Sequence, residues 1–202
     1  GSGPLTLGVW HPGEAWAELT MTGGIFTISG WWAIGEKADN YGKMTITDGS
    51  INATVGPLTV GQGGMGVLIL GDPNYTGNPY VRVRGGAVTV GRDSGADGTI
   101  LLYNGTFRCE NLQMSTSPGA ASLINIEKGV LQVSGDKVTN LTNYIGADLI
   151  QSYSHRGGFS LSYNPSTRLT ILTATDPDYT IAWNPMPRYL EGYYTERAAQ
   201  PN

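Results

Sequence analysis

The 202-residue sequence predicts an all-β solenoid: a right-handed parallel β-helix with about 24–27 residues and three short strands per coil. Three observations point to it. First, a five-residue phrase returns along the chain, as PLTLG at 4–8, WWAIG at 31–35, PLTVG at 57–61 and AVTVG at 87–91. Its closing glycines, Gly8, Gly35, Gly61 and Gly91, stand 27, 26 and 30 residues apart. Second, another glycine column follows a different strand-like run, at Gly24, Gly49, Gly105 and Gly129. Third, apolar and polar residues alternate between the glycines, which is the period of a half-buried strand.

Each strand can be justified by its inward pair. The first strand of successive units turns in Leu19/Met21, Met44/Ile46, Leu68/Leu70, Ile100/Leu102 and Ile124/Ile126. The second turns in Phe26/Ile28, Ile51/Ala53, Val81/Val83, Phe107/Cys109 and Leu131/Val133. The third turns in Leu5/Leu7, Trp32/Ile34, Leu58/Val60, Val88/Val90 and Leu112/Met114. One coil cannot bury such a face alone. Stacked coils can, because each strand pairs with its equivalent one turn later. Glycines fall where the chain must turn sharply. Five to seven coils at the strand-pairing distance give a prism roughly 25–35 Å long. A β-sandwich would not keep one strand order at a near-constant period. A leucine-rich repeat needs a Leu/Asn consensus that is absent.

Composition narrows the function classes. Charged residues are 14% and glycines 30 of 202, while apolar residues reach 40%, a β-rich and turn-rich balance. Net charge is −4 and no Lys/Arg run occurs, so no nucleic-acid partner is expected. No apolar stretch approaches the length of a membrane-spanning helix, so none is expected. A single cysteine excludes an intramolecular disulfide framework; Cys109 reads as a small buried apolar residue. Gly1–Gly3 read as a cloning remnant, residues 4–175 as the β-helix domain, and 176–202 as a C-terminal cap or linker. The chain reads as a monomeric piece of a larger protein that starts in mid-coil, next to another domain of its parent.

The repeat breaks in three places. GDPNYTGNPY at 71–80 makes the interval from Gly61 to Gly91 too long and reads as an excursion from one corner, either a tolerated loop or the wall of a groove. Residues 138–158 read as a short helix or irregular coil, and 159–172 as two strands that restore a last coil. From Asp176 the Pro- and Tyr-rich segment, with Trp183, Tyr189, Tyr193 and Tyr194, is expected to cover the open strand edges.

No P-loop, GxSxG or HExxH occurs. His11 and His155 read as loop histidines. Asp93 and Asp97 in RDSGADG are too few for a calcium loop, so neither metal nor cofactor is expected. Outward positions, Asn125 among them, supply no adjacent Asp/Glu pair for glycosidic chemistry, and no enzyme activity is expected. Instead, Tyr80, Arg82 and Arg84 stand beside Arg108 of the next coil, with Tyr103 across the corner and Asp72, Asn74 and Tyr75 in the excursion. Such a mixture suits a sugar, whose C–H face stacks on a ring and whose hydroxyls need polar partners. The arginines also suit a uronic-acid carboxylate. The bland alternative is that Arg82 and Arg108 pair with Glu110 on a solvated face. A second candidate surface holds Trp16 and Tyr41, at the same place in successive coils, with Met65 after them and Trp31 nearby. These aromatics either shield a corner or form a planar sugar platform.

Rungs of the PLTVG type, no catalytic carboxylate pair and outward Tyr/Trp together resemble the β-helical carbohydrate-binding modules joined to plant-cell-wall enzymes of gut bacteria. Carbohydrate-binding module family 89 is the nearest, with the likeness spanning about residues 4–172 and resting on architecture and rung style. AWNPMPR at 182–188 also looks like a junction of multidomain secreted bacterial proteins. The resemblance implies a secreted or cell-surface bacterial module that binds xylan or a related hemicellulose and tethers a covalently linked catalytic domain, such as a xylanase, to it. A pectin- or uronan-active lyase or hydrolase on the same fold is the alternative, and a structural stalk or adhesin repeat the second one.

Overall fold

The computed structural model describes residues 5–8, 15–115 and 117–177. Parallel coils stack into a β-solenoid of about six turns. In chain order the strands are β1 (Leu5–Leu7), β2 (Trp16–Ile28), β3 (Trp32–Ile34), β4 (Tyr41–Ala53), β5 (Leu58–Val60), β6 (Met65–Leu70), β7 (Tyr80–Val90), β8 (Asp97–Leu102), β9 (Thr106–Met114), β10 (Ala121–Ile126) and β11 (Val130–Ser134). Helix α1 (Val138–Gly146) follows, then β12 (Ile150–Ser152), β13 (Gly158–Asn164) and β14 (Leu169–Thr175).

The register is the one that the alternation predicts. Leu19, Met44, Leu68, Ile100, Ile124 and Ile150 pair in succession across six parallel strands. Phe26, Ile51, Val81, Phe107 and Leu131 form the second column. Leu5, Trp32, Leu58, Val88 and Leu112 form the third. Met44, Leu68, Ile100, Ile124, Ile51, Val81, Phe107 and Leu58 are fully buried in one continuous core. Each such side chain stabilises the fold by roughly 1.5–3 kcal/mol relative to exposure. Inward residues of the first coil are less covered: Leu19 and Met21 are half-buried and Phe26 is 40% exposed. Among the described residues β2 pairs only with β4, so its other edge carries no strand.

The glycine columns have two physical causes. Gly35, Gly61 and Gly91 are left-handed, at φ of 70°, 70° and 62°. They also lie against the next coil: a Cβ on Gly61 would enter the carbonyl oxygen of Asp97, and one on Gly35 that of Met65. Facing them is a third column, Gly42, Gly66 and Gly98, each with no room for a Cβ beside the preceding corner. Gly49 and Gly105 are left-handed as well. Gly129 is not; there a Cβ would press on Leu102, so closeness alone demands glycine.

The C-terminal end departs from expectation. Residues 138–146 form a helix, one of the two forms foreseen, and it follows β11 where the third strand of a coil would come. Its Leu141 is buried, and Tyr144 Oη donates to the Leu112 carbonyl at 3.5 Å. Residues 159–172 do not restore a coil. β13 and β14 are an antiparallel hairpin, and β14 lies antiparallel on β11. The link at 165–168 reverses the chain: Asn164 Oδ1 accepts the Ser166 and Thr167 N–H groups at 3.0 and 3.2 Å, and Arg168 is left-handed at φ 56°. Asn125, expected outward, is buried because the turn at 153–156 folds over it, and its Oδ1 accepts the Ser154 N–H at 2.9 Å. His11, Trp183, Tyr189, Tyr193 and Tyr194, the cloning remnant, and the cap or linker beyond Pro177 lie outside the described residues.

Candidate functional site

The corner between the third and first strands builds a groove. Residues three before each first inward side chain stack in register: Trp16, Tyr41, Met65, Asp97 and Ala121. The strand spacing brings the Trp16 and Tyr41 rings face to face, with centroids 4.1 Å apart and planes 28° from parallel. Trp16 remains 69% exposed and Met65 45% exposed. The turns at Ala38–Asn40, Gly63–Gly64 and Ser94–Gly95 wall this column, enclosing an open groove of about 610 Å³.

The walls are shaped by backbone needs. Asp39 is left-handed at φ 65°. Gly64 admits no Cβ, because the carbonyls of Lys37 and Asn40 crowd it. Buried Asn40 stitches two coils: its Oδ1 accepts the Ala15 N–H at 3.1 Å and its Nδ2 donates to the Gly8 carbonyl at 3.5 Å. Asp97 faces the groove, and its carboxyl pKa is raised by burial, partly offset by a hydrogen bond from Thr99. Asp93 does not line the groove and pairs with Arg92 at 3.1 Å. Among the described residues, no three His, Cys, Asp or Glu side chains gather as metal ligands.

Trp31 is 38% exposed but does not line this groove. It belongs to the corner between the second and third strands, where its carbonyl accepts the Leu5 N–H at 3.1 Å. The second surface foreseen in the sequence therefore keeps Trp16 and Tyr41 together and separates Trp31 from them.

The other foreseen cluster also divides. Tyr80, Arg82 and Arg108 share the outward face of the second strand, with Arg82 in register with Arg108. Asp72, Asn74 and Tyr75 form the excursion, which folds against later turns of the stack. There Tyr75 Oη donates to Glu127 at 2.7 Å, and Lys128 Nζ lies 4.0 Å above the Tyr75 ring. Asp72 accepts the Asn74 N–H at 2.7 Å and the Thr76 hydroxyl, which holds its carboxyl below the usual range. Asn104 Nδ2 donates to the Thr76 and Gly77 carbonyls at 3.0 and 2.9 Å. Tyr103 directly precedes Asn104 at that corner and has an interaction partner of its own. The excursion is thus clamped to its own protein through Tyr75 and Asn104, while Asp72 braces it from within.

Asp39, Asn40 and Asp97 were not foreseen as members of the aromatic surface. A signal existed for Asp97, which stands three residues before Ile100 as Trp16 stands before Leu19. The wall residues depend on how neighbouring turns overhang, and no single-coil pattern encodes that.

The fold and site define a β-solenoid with an aromatic-floored corner groove. No protein-family model, no curated protein and no solved structure matches the chain.

Proposed function

We propose that this solenoid is a non-catalytic module that binds a plant-cell-wall polysaccharide of the xylan class. The observation that carries this reading is the stacked Trp16–Tyr41 pair on the floor of an open groove edged by Asp39, Asn40 and Asp97. A ring pair offers a flat surface to the C–H face of a sugar. Carboxylates and backbone groups at the rim suit its hydroxyls. Such a shallow, wet interface gives modest affinity per site. Joined to a hydrolase, the module would raise the enzyme's effective concentration on the polymer.

The test is native affinity electrophoresis in gels of xylan, pectin, β-glucan or mannan, with and without chelator. Retardation by xylan, unchanged by chelator and without shortening of the polymer, supports the reading. A second reading has one observation behind it: Asp39 and Asp97 line the same groove, and burial shifts the Asp97 carboxyl pKa upward, the direction that suits a general acid. New reducing ends or unsaturated ends from pectin or a uronan, lost in Asp97→Asn, would select that lyase or hydrolase. No retardation on any glycan would favour a structural stalk.

A further inference from the structure

The outward face of the second strand carries a column that the groove does not use. In register across the coils it reads Thr27, Asn52, Arg82, Arg108, Gln132. Paired positions on neighbouring strands lie about 4.8 Å apart, so two guanidinium stems stand side by side. Like charges directly opposite one another on a sheet oppose folding. The Arg82 pKa is lowered by burial first, then by the charges of Arg108 and Arg84, with Tyr80 and Glu110 offsetting part of the effect. Among the described residues neither Arg82 nor Arg108 has an ion pair, the pairs found being Lys43–Glu18, Arg92–Asp93 and His155–Asp148. Glu110 accepts the Gly85 N–H through Oε2 at 3.0 Å and acts on Arg82 through its charge without forming an ion pair. Tyr80 stands two residues before Arg82 on the same face, and the flanking side chains Asn52 and Gln132 are neutral amides.

We infer that Arg82 and Arg108 together form a subsite for an oxyanion borne by a glycan, with Tyr80 against the sugar ring and Asn52 and Gln132 at its hydroxyls. The inference rests on the glycan-binding reading and names a substrate class for it: acidic rather than neutral polysaccharide. Two guanidiniums at this spacing can share one anion, each donating to one or both of its oxygens, in the planar geometry that suits carboxylates. A uronic-acid carboxylate and a sulfate ester have this chemistry in common. The subsite lies on a different strand column from the Trp16–Tyr41 groove, so the two surfaces are separable by mutation.

The experiment measures affinity of the full 202-residue chain for four polymers: a neutral xylan, a glucuronic-acid-bearing xylan, the same polymer after carboxyl reduction, and a sulfated glycan. Charge-assisted hydrogen bonds of this kind correspond to roughly tenfold or more in affinity. The acidic xylan is expected to bind by that factor more tightly than its carboxyl-reduced form, and the preference to shrink with added salt. Arg82→Gln and Arg108→Gln should each remove the preference, with acidic-xylan binding falling more than neutral-xylan binding and the melting temperature unchanged or raised, since each relieves the like-charge opposition. Arg84→Gln, which lies outside the paired column, should keep it. Preference for the sulfated glycan alone, lost in the same two variants, also supports the subsite and assigns its anion to sulfate. Equal binding of native and carboxyl-reduced xylan with no preference for sulfate would overturn the subsite and leave the glycan-binding reading standing. An equal loss in Arg84→Gln would likewise overturn it, pointing to diffuse charge. Failure to bind any of the four would remove both. Should a variant fail to fold, the wild-type comparison of native and reduced polymer still decides.

Discussion

Trp16 and Asp97 occupy equivalent places in their coils, yet they ask different things of the groove. Trp16 is 69% exposed and stacks on Tyr41, so its removal should cost binding rather than folding. Aromatic stacking contributes about 1 kcal/mol beyond buried area, so Trp16→Ala should weaken xylan retention roughly fivefold to tenfold. Thermal melting should change little. Asp97 is held partly buried with a raised pKa. A carboxyl whose pKa is higher in the folded than in the unfolded state stabilises the fold when protonated, and that contribution is lost as pH rises through the folded value. Asp97→Asn should therefore melt higher than wild type at neutral pH, with the gap closing below the unfolded-state carboxyl pKa. Melting curves across pH 3–8 check the sign. A gap that widens on acidification would contradict it.

The corner glycines act at the scale of the coil. At Gly61 two costs coincide: φ of 70° and the Asp97 carbonyl oxygen where a Cβ would sit. The left-handed backbone alone costs about 1–2 kcal/mol for a residue with a side chain, and the contact with backbone cannot relax by turning a rotamer. Gly61→Ala should thus lower stability by about 2 kcal/mol or more in urea unfolding. Gly95→Ala is the matched control: it is also left-handed at 76°, but a Cβ there meets nothing within 4 Å. The control should lose only the backbone part. The terminal hairpin β13–β14 is an element of another kind. By lying antiparallel on β11 it ends the parallel repeat instead of extending it, and Leu172, fully buried, anchors it to the core.

Among the described residues the two ends of the stack differ. α1 and the hairpin lie against the C-terminal coil, while Leu19, Met21 and Phe26 of the first coil are only partly covered. Solenoids behave as rows of nearest-neighbour contacts, so fraying should proceed from the thinly covered first coil and reach the later coils last. Cys109 reports on this. It is fully buried in the fourth pair of the second column, and its thiol pKa is pushed up to about 12 by burial, with the Glu110 charge adding to the effect. An aromatic disulfide reagent should leave it unmodified in native buffer. Reaction should appear only with the main unfolding transition. Rapid labelling in native buffer would show that the later coils open independently.

By itself the sequence determined the inward residue pairs, their register and the glycine corners. Those features repeat one local rule in every coil: side chains alternate with period two, and a one-residue slip would turn every Leu, Ile and Val outward. Stacking then follows, because no coil can bury its own face. The tertiary structure decided what happens where that rule stops. β13 and β14 have the alternation of coil strands, and links as short as 165–168 also turn coil corners at 103–105 and 127–129; here the turn closed by Asn164 reverses the chain and lays β14 on β11. Alternation gives Tyr75 no partner within its own coil, and the stack supplies one, Glu127, 52 residues away. Trp31 and Trp16 look alike as outward tryptophans, yet the prism puts them on different corners. Single-coil periodicity reports which way a side chain faces, while the overhang of neighbouring turns decides what it meets there.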